Sequence, residues 1–220
     1  MVSWKGIVER ISRKTEGENA ISQSFSGGVR VDQVGPPKAE LGLARRRFGA
    51  VVGNGATFIA PVTAYPTTTA TFMLYNGEPD GGRVLSIETA SFFQASGTSD
   101  ANGILIGAVT LARQTTVPGA YANTVLSSLS GGPVDSKAVL ANNHTITGGQ
   151  PAWLPLPYHG SNAIAADADD IGSHQGVAKV DGEFNVPPGH GFALVLVAGA
   201  GSTPLYGYGV TWAELDAPLS

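Results

Sequence analysis

The sequence contains no cysteine, and this absence excludes several kinds of chemistry. A chain without thiols has no disulfide framework, no cysteine-ligated zinc, no iron–sulfur cluster and no thiol nucleophile. Charged residues are also scarce, since they make up 14% of the 220 residues against about 25% in an average globular domain. A surface with so few charges must be covered largely by hydroxyl and amide groups, which favours packing into a protein assembly.

Long apolar runs are missing as well. The chain has no stretch of about 18 uninterrupted apolar residues, so we expect no transmembrane helix and no membrane partner. Its N-terminus, MVSWKGIVERISRK, lacks the apolar run of about 7 to 15 residues that marks a secretory signal peptide. We therefore expect synthesis in the cytoplasm without a signal peptide, and release by lysis if the protein works outside a cell.

Glycine and proline, in contrast, are abundant, with 30 and 14 residues, and predict a folded chain with many turns. Seven short runs are rich in β-branched and aromatic residues and are each bounded by Gly, Pro, Asn or Asp, as strands are. These runs are residues 57–63, 69–75, 83–88, 104–112, 138–147, 192–198 and 205–214. No helical stripe alternates with them, so the pattern predicts an all-β sandwich or barrel.

The basic residues are concentrated at the N-terminal end of the chain. Nine of the thirteen lie in the first 47 residues, where the run Arg45, Arg46 and Arg47 closes the segment. This segment has a net charge of +4, and residues 48–220 have a net charge of −8. We therefore predict a basic docking arm, residues 1–47, and a β-sandwich body, residues 48–220, with a possible subdivision near residues 127–133.

The arm begins with an apolar stripe at helical spacing. Trp4, Ile7, Val8 and Ile11 fall on one face of a short helix, which is marginal alone and needs a partner surface. The basic run Arg45–Arg47 suits either phosphate or an acidic protein surface, and we favour protein docking. No helix-turn-helix, zinc finger or RNP-like pattern accompanies it, so we expect no specific nucleic acid partner.

The C-terminal end carries the clearest period of two. Tyr206, Tyr208, Val210 and Trp212 alternate with small residues, which places the large side chains in a core or in a subunit contact. Together with the preceding apolar run, residues 192–198, this strand is predicted to form a closing β-hairpin.

Motifs that carry chemistry are absent from the sequence. The four histidines are 15 or 16 residues apart, and no nucleophile elbow, P-loop or zinc-protease motif occurs. Asp167, Asp169 and Asp170 resemble the start of a calcium loop, but the glutamate that would close an EF-hand is missing, so we favour a solvated acidic loop. We therefore predict no enzyme activity, no cofactor and no bound metal.

One loop suggests a different function. The segment PAWLPLPY, residues 151–158, is stiffened by prolines and contains Trp153 and Tyr158, whose rings are suited to stacking on sugars. The same loop is equally suited to plugging the core. A carbohydrate-binding or receptor-binding module of a fibre tip therefore stays the alternative to an assembly protein.

The C-terminal third of the sequence resembles jelly-roll structural proteins of tailed bacteriophages. The resemblance rests on FNVPPG at residues 184–189, the apolar run 192–198 and YGVTWAE at residues 208–214. It covers about thirty residues and supplies no catalytic residues. In that family a turn of this kind leads into an apolar strand, and an aromatic strand closes the fold.

The resemblance implies a fold and a function. It implies an antiparallel jelly-roll-like β-sandwich, a homotrimer, and an N-terminal segment that anchors the protein to the major capsid protein or to tail components. We therefore expect a virion structural protein, with capsid decoration or cement as the favoured role.

Overall fold

The structure is a computed structural model of the chain. It describes residues 21–23, 29–31, 41, 44–52, 58–98, 103–115, 125–129, 131, 135–162, 174–198 and 202–216. The chain divides into two compact units, residues 1–44 and residues 45–220. The division therefore lies three residues before the boundary that the basic run suggests.

The first unit contains one antiparallel strand pair in its described part. Strand β1 (Ile21–Gln23) pairs with strand β2 (Val29–Val31), and Ile21 lies opposite Val31. The predicted arm helix with Trp4, Ile7, Val8 and Ile11 lies outside the described residues.

The second unit is built from two antiparallel sheets, which confirms the all-β prediction. The seven-stranded sheet has the order β10-β11-β5-β14-β3-β7, with β12 also paired to β5, and the five-stranded sheet has the order β8-β4-β13-β6-β9. The strands are β3 (Arg47–Val52), β4 (Thr69–Asn76), β5 (Val84–Thr98), β6 (Ile104–Val109), β7 (Val125–Ser128), β8 (Ala138–Thr145), β9 (Leu154–Pro155), β10 (Tyr158–Asn162), β11 (His174–Lys179), β12 (Asn185–Val186), β13 (Gly191–Val197) and β14 (Ser202–Leu215).

The two sheets share one hydrophobic core. Alternate side chains of each strand point inward, so Phe72 of β4 stacks on Tyr208 of β14 across the interior, with ring centroids 6.2 Å apart. Trp212 is the largest fully buried side chain and stacks on Phe48 of β3. Residues before and after the 127–133 segment contribute to this single core.

Six of the seven strand-like runs in the sequence overlap observed strands. The run 57–63 makes only isolated pairs in its described part, Ile59 with Tyr206 and Val62 with Val197. The predicted closing hairpin is wrong. Strand β13 pairs with β4 and β6 in the five-stranded sheet, whereas β14 pairs with β3 and β5 in the other sheet. The chain therefore passes from one sheet to the other between β13 and β14. Each of these apolar strands is buried in its own sheet.

A β-bulge in strand β5 sets which side chains face outward. Thr89 lies opposite Thr211 and Ile87 lies opposite Trp212, so Glu88 is the extra residue of the bulge. The bulge shifts the alternation, and Glu88 joins Thr89 on the outer face of the sheet.

Candidate functional site

The outer face of the seven-stranded sheet has a row of uncharged residues in its middle. One row of residues crosses four strands in register: Val177 of β11, Ser91 of β5, Gly209 of β14 and Val51 of β3. The valines at the two ends are 47% and 57% exposed. The row therefore forms a shallow trough with an apolar ridge on each side.

The floor of this trough is held by short contacts between hydroxyls and backbone. The Ser91 hydroxyl donates to the carbonyl of Gly209 at 3.2 Å, and the hydroxyls of Thr89 and Thr211 are 2.6 Å apart. A Cβ atom at Gly209 would lie 2.6 Å from the Ser91 Oγ, so a larger residue does not fit there without a shift. The small face of β14 therefore packs against side chains of its own sheet.

An ion pair crosses strand β14 on the same face. Arg47 of β3 donates to both carboxylate oxygens of Glu88, and its shortest contact, from Nη2 to Oε2, is 2.6 Å. Between them lies Ala213, which pairs with Arg47 in register. The small side chain of Ala213 leaves room for the guanidinium, and the β5 bulge supplies the carboxylate.

A second buried carboxylate lies at one end of the body. Glu214 is fully buried, and its oxygens accept from Arg83 Nη1 at 2.9 Å and from the Ser136 hydroxyl at 2.6 Å. Next to it, Arg46 pairs with the exposed Asp216 at 2.6 Å. These contacts join β5, β14 and the segment before β8.

The outer face of the five-stranded sheet is covered by the chain itself. Met73 of β4 and Ala193 of β13 point away from the main core and are fully buried, because Ile146 and Trp153 pack on them. The indole nitrogen of Trp153 donates to the carbonyl of Pro66 at 2.9 Å. The proline-stiffened loop therefore closes this face of the sheet.

A buried polar cluster lies where β10 and β11 join the seven-stranded sheet. Nδ1 of His174 is 3.0 Å from the Tyr206 hydroxyl, and its Nε2 is 3.2 Å from the Tyr158 hydroxyl. Tyr158 donates in turn to the carbonyl of Gly103 at 2.8 Å. The edge of Phe92 packs against this cluster, with ring centroids 4.9 Å from both Tyr158 and His174.

A glycine makes this cluster possible. Gly176 lies two residues after His174 on the same inward face of β11, and the ring of Tyr158 lies directly over it. A Cβ atom at Gly176 would clash with that ring and would lie 2.8 Å from Cε1 of Phe92. The hydroxyl of Tyr158 reaches His174 because nothing larger occupies this position.

The candidate residues from the sequence lie in different parts of the structure. Tyr206, Tyr208, Val210 and Trp212 all lie in the main core. Burial raises the pKa of the Tyr208 hydroxyl. These four side chains therefore stabilise the body from within and are not exposed to a partner.

The other predicted residues fall into separate groups. Arg45 is exposed and has a left-handed backbone with φ of 57°, whereas Arg46 and Arg47 form ion pairs within the second unit. Trp153 and Tyr158 are half-buried and belong to two different packing clusters. Glycan contact through them stays a prediction, with part of each ring already packed against protein.

Sequence reasoning missed the Arg47–Glu88 pair and the His174 cluster. The sequence predicts that Arg47 belongs to the docking arm, because nine of the thirteen basic residues lie in the first 47 residues. His174 stands alone in the sequence, and its two tyrosine partners are 16 and 32 residues away. His174 alternates with Gly176 and Ala178 along β11, and this alternation is the local sign that His174 faces inward.

In the described ranges, no group of three or more His, Asp or Glu side chains is arranged to hold a metal ion. Asp167, Asp169 and Asp170, the candidate calcium loop, lie outside them. The same ranges contain no helix with the length and apolar character that crossing a membrane requires.

No protein-family model matches the sequence, and no curated protein matches it at a significant level.

Proposed function

We propose that the chain is a non-enzymatic virion structural protein of a tailed bacteriophage. In this proposal residues 1–44 dock onto the major capsid protein or a tail component, and the β-sandwich body assembles with other copies of itself as a homotrimer. Capsid decoration or cement is the role that fits this design best.

The observation that carries the proposal is the exposure of two valines on the outer face of the seven-stranded sheet, within the part of the chain that the structure describes. Val51 and Val177 are exposed there on both sides of a floor formed by Ser91 and Gly209. Interfaces between protein copies are depleted in charge at their centre and have a polar rim. The trough has this composition, since its nearest ion pair, Arg47 with Glu88, is already neutralised within the subunit.

The strand pairing supports jelly-roll connectivity for the body. A jelly roll forms when a long hairpin is rolled up, so that its strands pair as nested sets, the first with the last and the second with the one before the last. Here β3 pairs with β14, β4 with β13, β5 with β11, and β6 with β9. Strand β8 then adds to the edge of the five-stranded sheet, beside β4.

The division of the chain changes how the arm is expected to dock. Residues 1–44 contain six basic and five acidic residues and have a net charge of +1, and residues 45–220, with seven basic and twelve acidic residues, have a net charge of −5. Arg45, Arg46 and Arg47 belong to the body. We therefore attribute docking to the apolar stripe that begins at Trp4 rather than to net charge.

The test is the oligomeric state of the full-length protein by size-exclusion chromatography with light scattering. We expect a stable trimer at micromolar concentration. The double variant Val51→Lys/Val177→Lys places charges on both ridges of the trough and is expected to shift the protein to monomers.

Leu111→Lys is the matched control, because Leu111 is exposed at 64% and lies outside the trough row. It is expected to leave the trimer intact. A wild-type monomer would contradict the proposal, and equal dissociation by the control variant would show that the trough is not the interface.

A further inference from the structure

We propose that His174 and its two tyrosine partners form an acid-sensitive latch, which holds the β10–β11 edge of the body closed and releases it when His174 takes up a proton. We call Gly103, Tyr158, His174 and Tyr206 the latch. The inference stands independently of the virion assignment, because it rests on the geometry of the buried cluster alone.

The latch connects three parts of the body. His174 begins β11 and Tyr158 begins β10, which is the edge strand of the seven-stranded sheet. Tyr206 belongs to β14 in the middle of that sheet, and Gly103 precedes β6 of the opposite sheet. One continuous hydrogen-bonded chain therefore ties the edge hairpin to its own sheet and to the other layer.

The hydrogen bonds determine where the proton of His174 lies. The Tyr158 hydroxyl donates its single hydrogen to the carbonyl of Gly103, so towards His174 it acts as an acceptor. Nε2 of His174 must then carry the hydrogen and donate it. Nδ1 is left as the acceptor for the Tyr206 hydroxyl. These donors and acceptors fit a neutral imidazole in this tautomer.

Protonation changes this arrangement at one point. An imidazolium carries hydrogens on both nitrogens, so the Tyr206 hydroxyl would have to turn its own hydrogen away and accept from Nδ1–H. The positive charge would also be almost fully buried, since His174 is 3% exposed. Burying a charge without an opposite charge is strongly unfavourable.

The groups around the ring do not compensate this charge. Among the described residues its contacts are Phe92 of β5, Tyr158 of β10 and Tyr206 of β14, and none of these side chains is charged at neutral pH. Burial alone lowers the pKa of His174 below its ordinary value of 6.5. The folded protein therefore resists protonation, whereas an opened edge accepts the proton near pH 6.5.

The test is hydrogen–deuterium exchange of the full-length protein at about pH 7.5 and about pH 5, corrected for the intrinsic pH dependence of exchange. At the lower pH we expect exchange in peptides from residues 158–162 and 174–179 to be about tenfold faster relative to β4 and β13, because opening is coupled to proton uptake. Unchanged relative exchange in these peptides would overturn the proposal.

The variant His174→Gln separates the latch from general acid sensitivity. Glutamine supplies one acceptor and one donor but takes up no proton in this pH range, so the acid response of β10 and β11 is expected to disappear. His159→Gln is the control, because His159 lies on β10, the strand paired with β11, and is exposed. It is expected to keep the response. Persistence of the response in His174→Gln would overturn the proposal.

A measurement on the wild-type protein does not depend on how the variants fold. NMR titration of the histidine side chains is expected to give His174 a pKa below 6.5. A pKa above 6.5 would mean that a carboxylate stabilises the imidazolium, for example one from Asp167, Asp169 or Asp170 in the connection between β10 and β11. That result would also overturn the latch.

Discussion

The outer faces of the two sheets of the body differ in how far their side chains are buried. Met73 and Ala193 on the five-stranded sheet are fully buried under Ile146 and Trp153. On the seven-stranded sheet the corresponding face keeps Val51 exposed and uses small residues around it. On the five-stranded sheet, large side chains of the same chain therefore cover the outer face. The other face carries the shallow trough between Val177 and Val51, which suits contact with another protein.

The largest expected effect comes from removing a side chain on the covered face. Met73→Ala is expected to lower the free energy of unfolding by about 2–5 kcal/mol, because it leaves a cavity under Trp153. The measurement is urea denaturation followed by tryptophan fluorescence. A loss within about 0.5 kcal/mol, the usual range for surface positions, would show that this face is not a packed core.

Val51→Ala is the matched change on the open face. In the monomer it is expected to alter the free energy of unfolding by about 0.5 kcal/mol or less, because Val51 is 57% exposed. Its effect should appear in how the urea midpoint depends on protein concentration, since assembly stabilises the folded state. A large effect that does not vary with concentration would contradict the difference between the faces.

Substitutions at two glycines compare the inner face of the seven-stranded sheet with its outer face. Gly176→Ala is expected to cost about 1–3 kcal/mol, because the new methyl group overlaps the Tyr158 ring and displaces it. Gly49→Ala, on the outer face, meets nothing closer than 3.6 Å and is expected to be neutral or slightly stabilising. Thermal denaturation of both variants checks this, and equal losses would contradict it.

Two neighbouring arginines test whether the ion pair on the open face is structural. Arg47→Met removes the bidentate partner of the buried Glu88 and is expected to lower the free energy of unfolding by about 1–3 kcal/mol. Arg46→Met removes only the pair with the exposed Asp216, with an expected loss of about 0–1 kcal/mol. Urea denaturation of both variants measures the difference. A larger loss for Arg46→Met would be the contrary result.

The smallest expected effect concerns His144 at the edge of the five-stranded sheet. Burial lowers its pKa from 6.5, and its Nε2 is buried without a hydrogen-bond partner among the described residues. The unfolded chain therefore binds the proton more readily, so this contribution to stability is complete above pH 6.5 and declines as the pH falls. His144→Gln is expected to reduce the decline in urea midpoint between about pH 7 and about pH 5. An unchanged decline would exclude His144 as a source.

Local patterns predicted six of the strands but not their partners. The period of two in residues 205–214 and the apolar run 192–198 correspond to β14 and β13. That these strands lie in different sheets follows from contacts with β3, β4, β5 and β6, which no short pattern contains. The shorter strands β10 and β11 were missed because their glycines and polar residues weaken the strand signal.

The candidate site was less accessible to sequence reasoning than the fold. Arg47 was assigned to a docking arm, yet its partner Glu88 is 41 residues away and faces it only because of the β5 bulge. His174 and Tyr206 likewise meet through the register of β11, β5 and β14. The chemistry of these groups depends on burial, and burial is decided by the packing of distant strands.

The sequence by itself determined that this protein has no thiol chemistry, few charges and a β-rich body, because composition and side-chain alternation are local properties of a chain. It also indicated that the last strand carries its large aromatics on one side. Only the tertiary structure decided which sheet face is packed under loops, which arginines form ion pairs and why burial lowers the pKa of His174. Those features arise where residues far apart in the chain exclude water from one another.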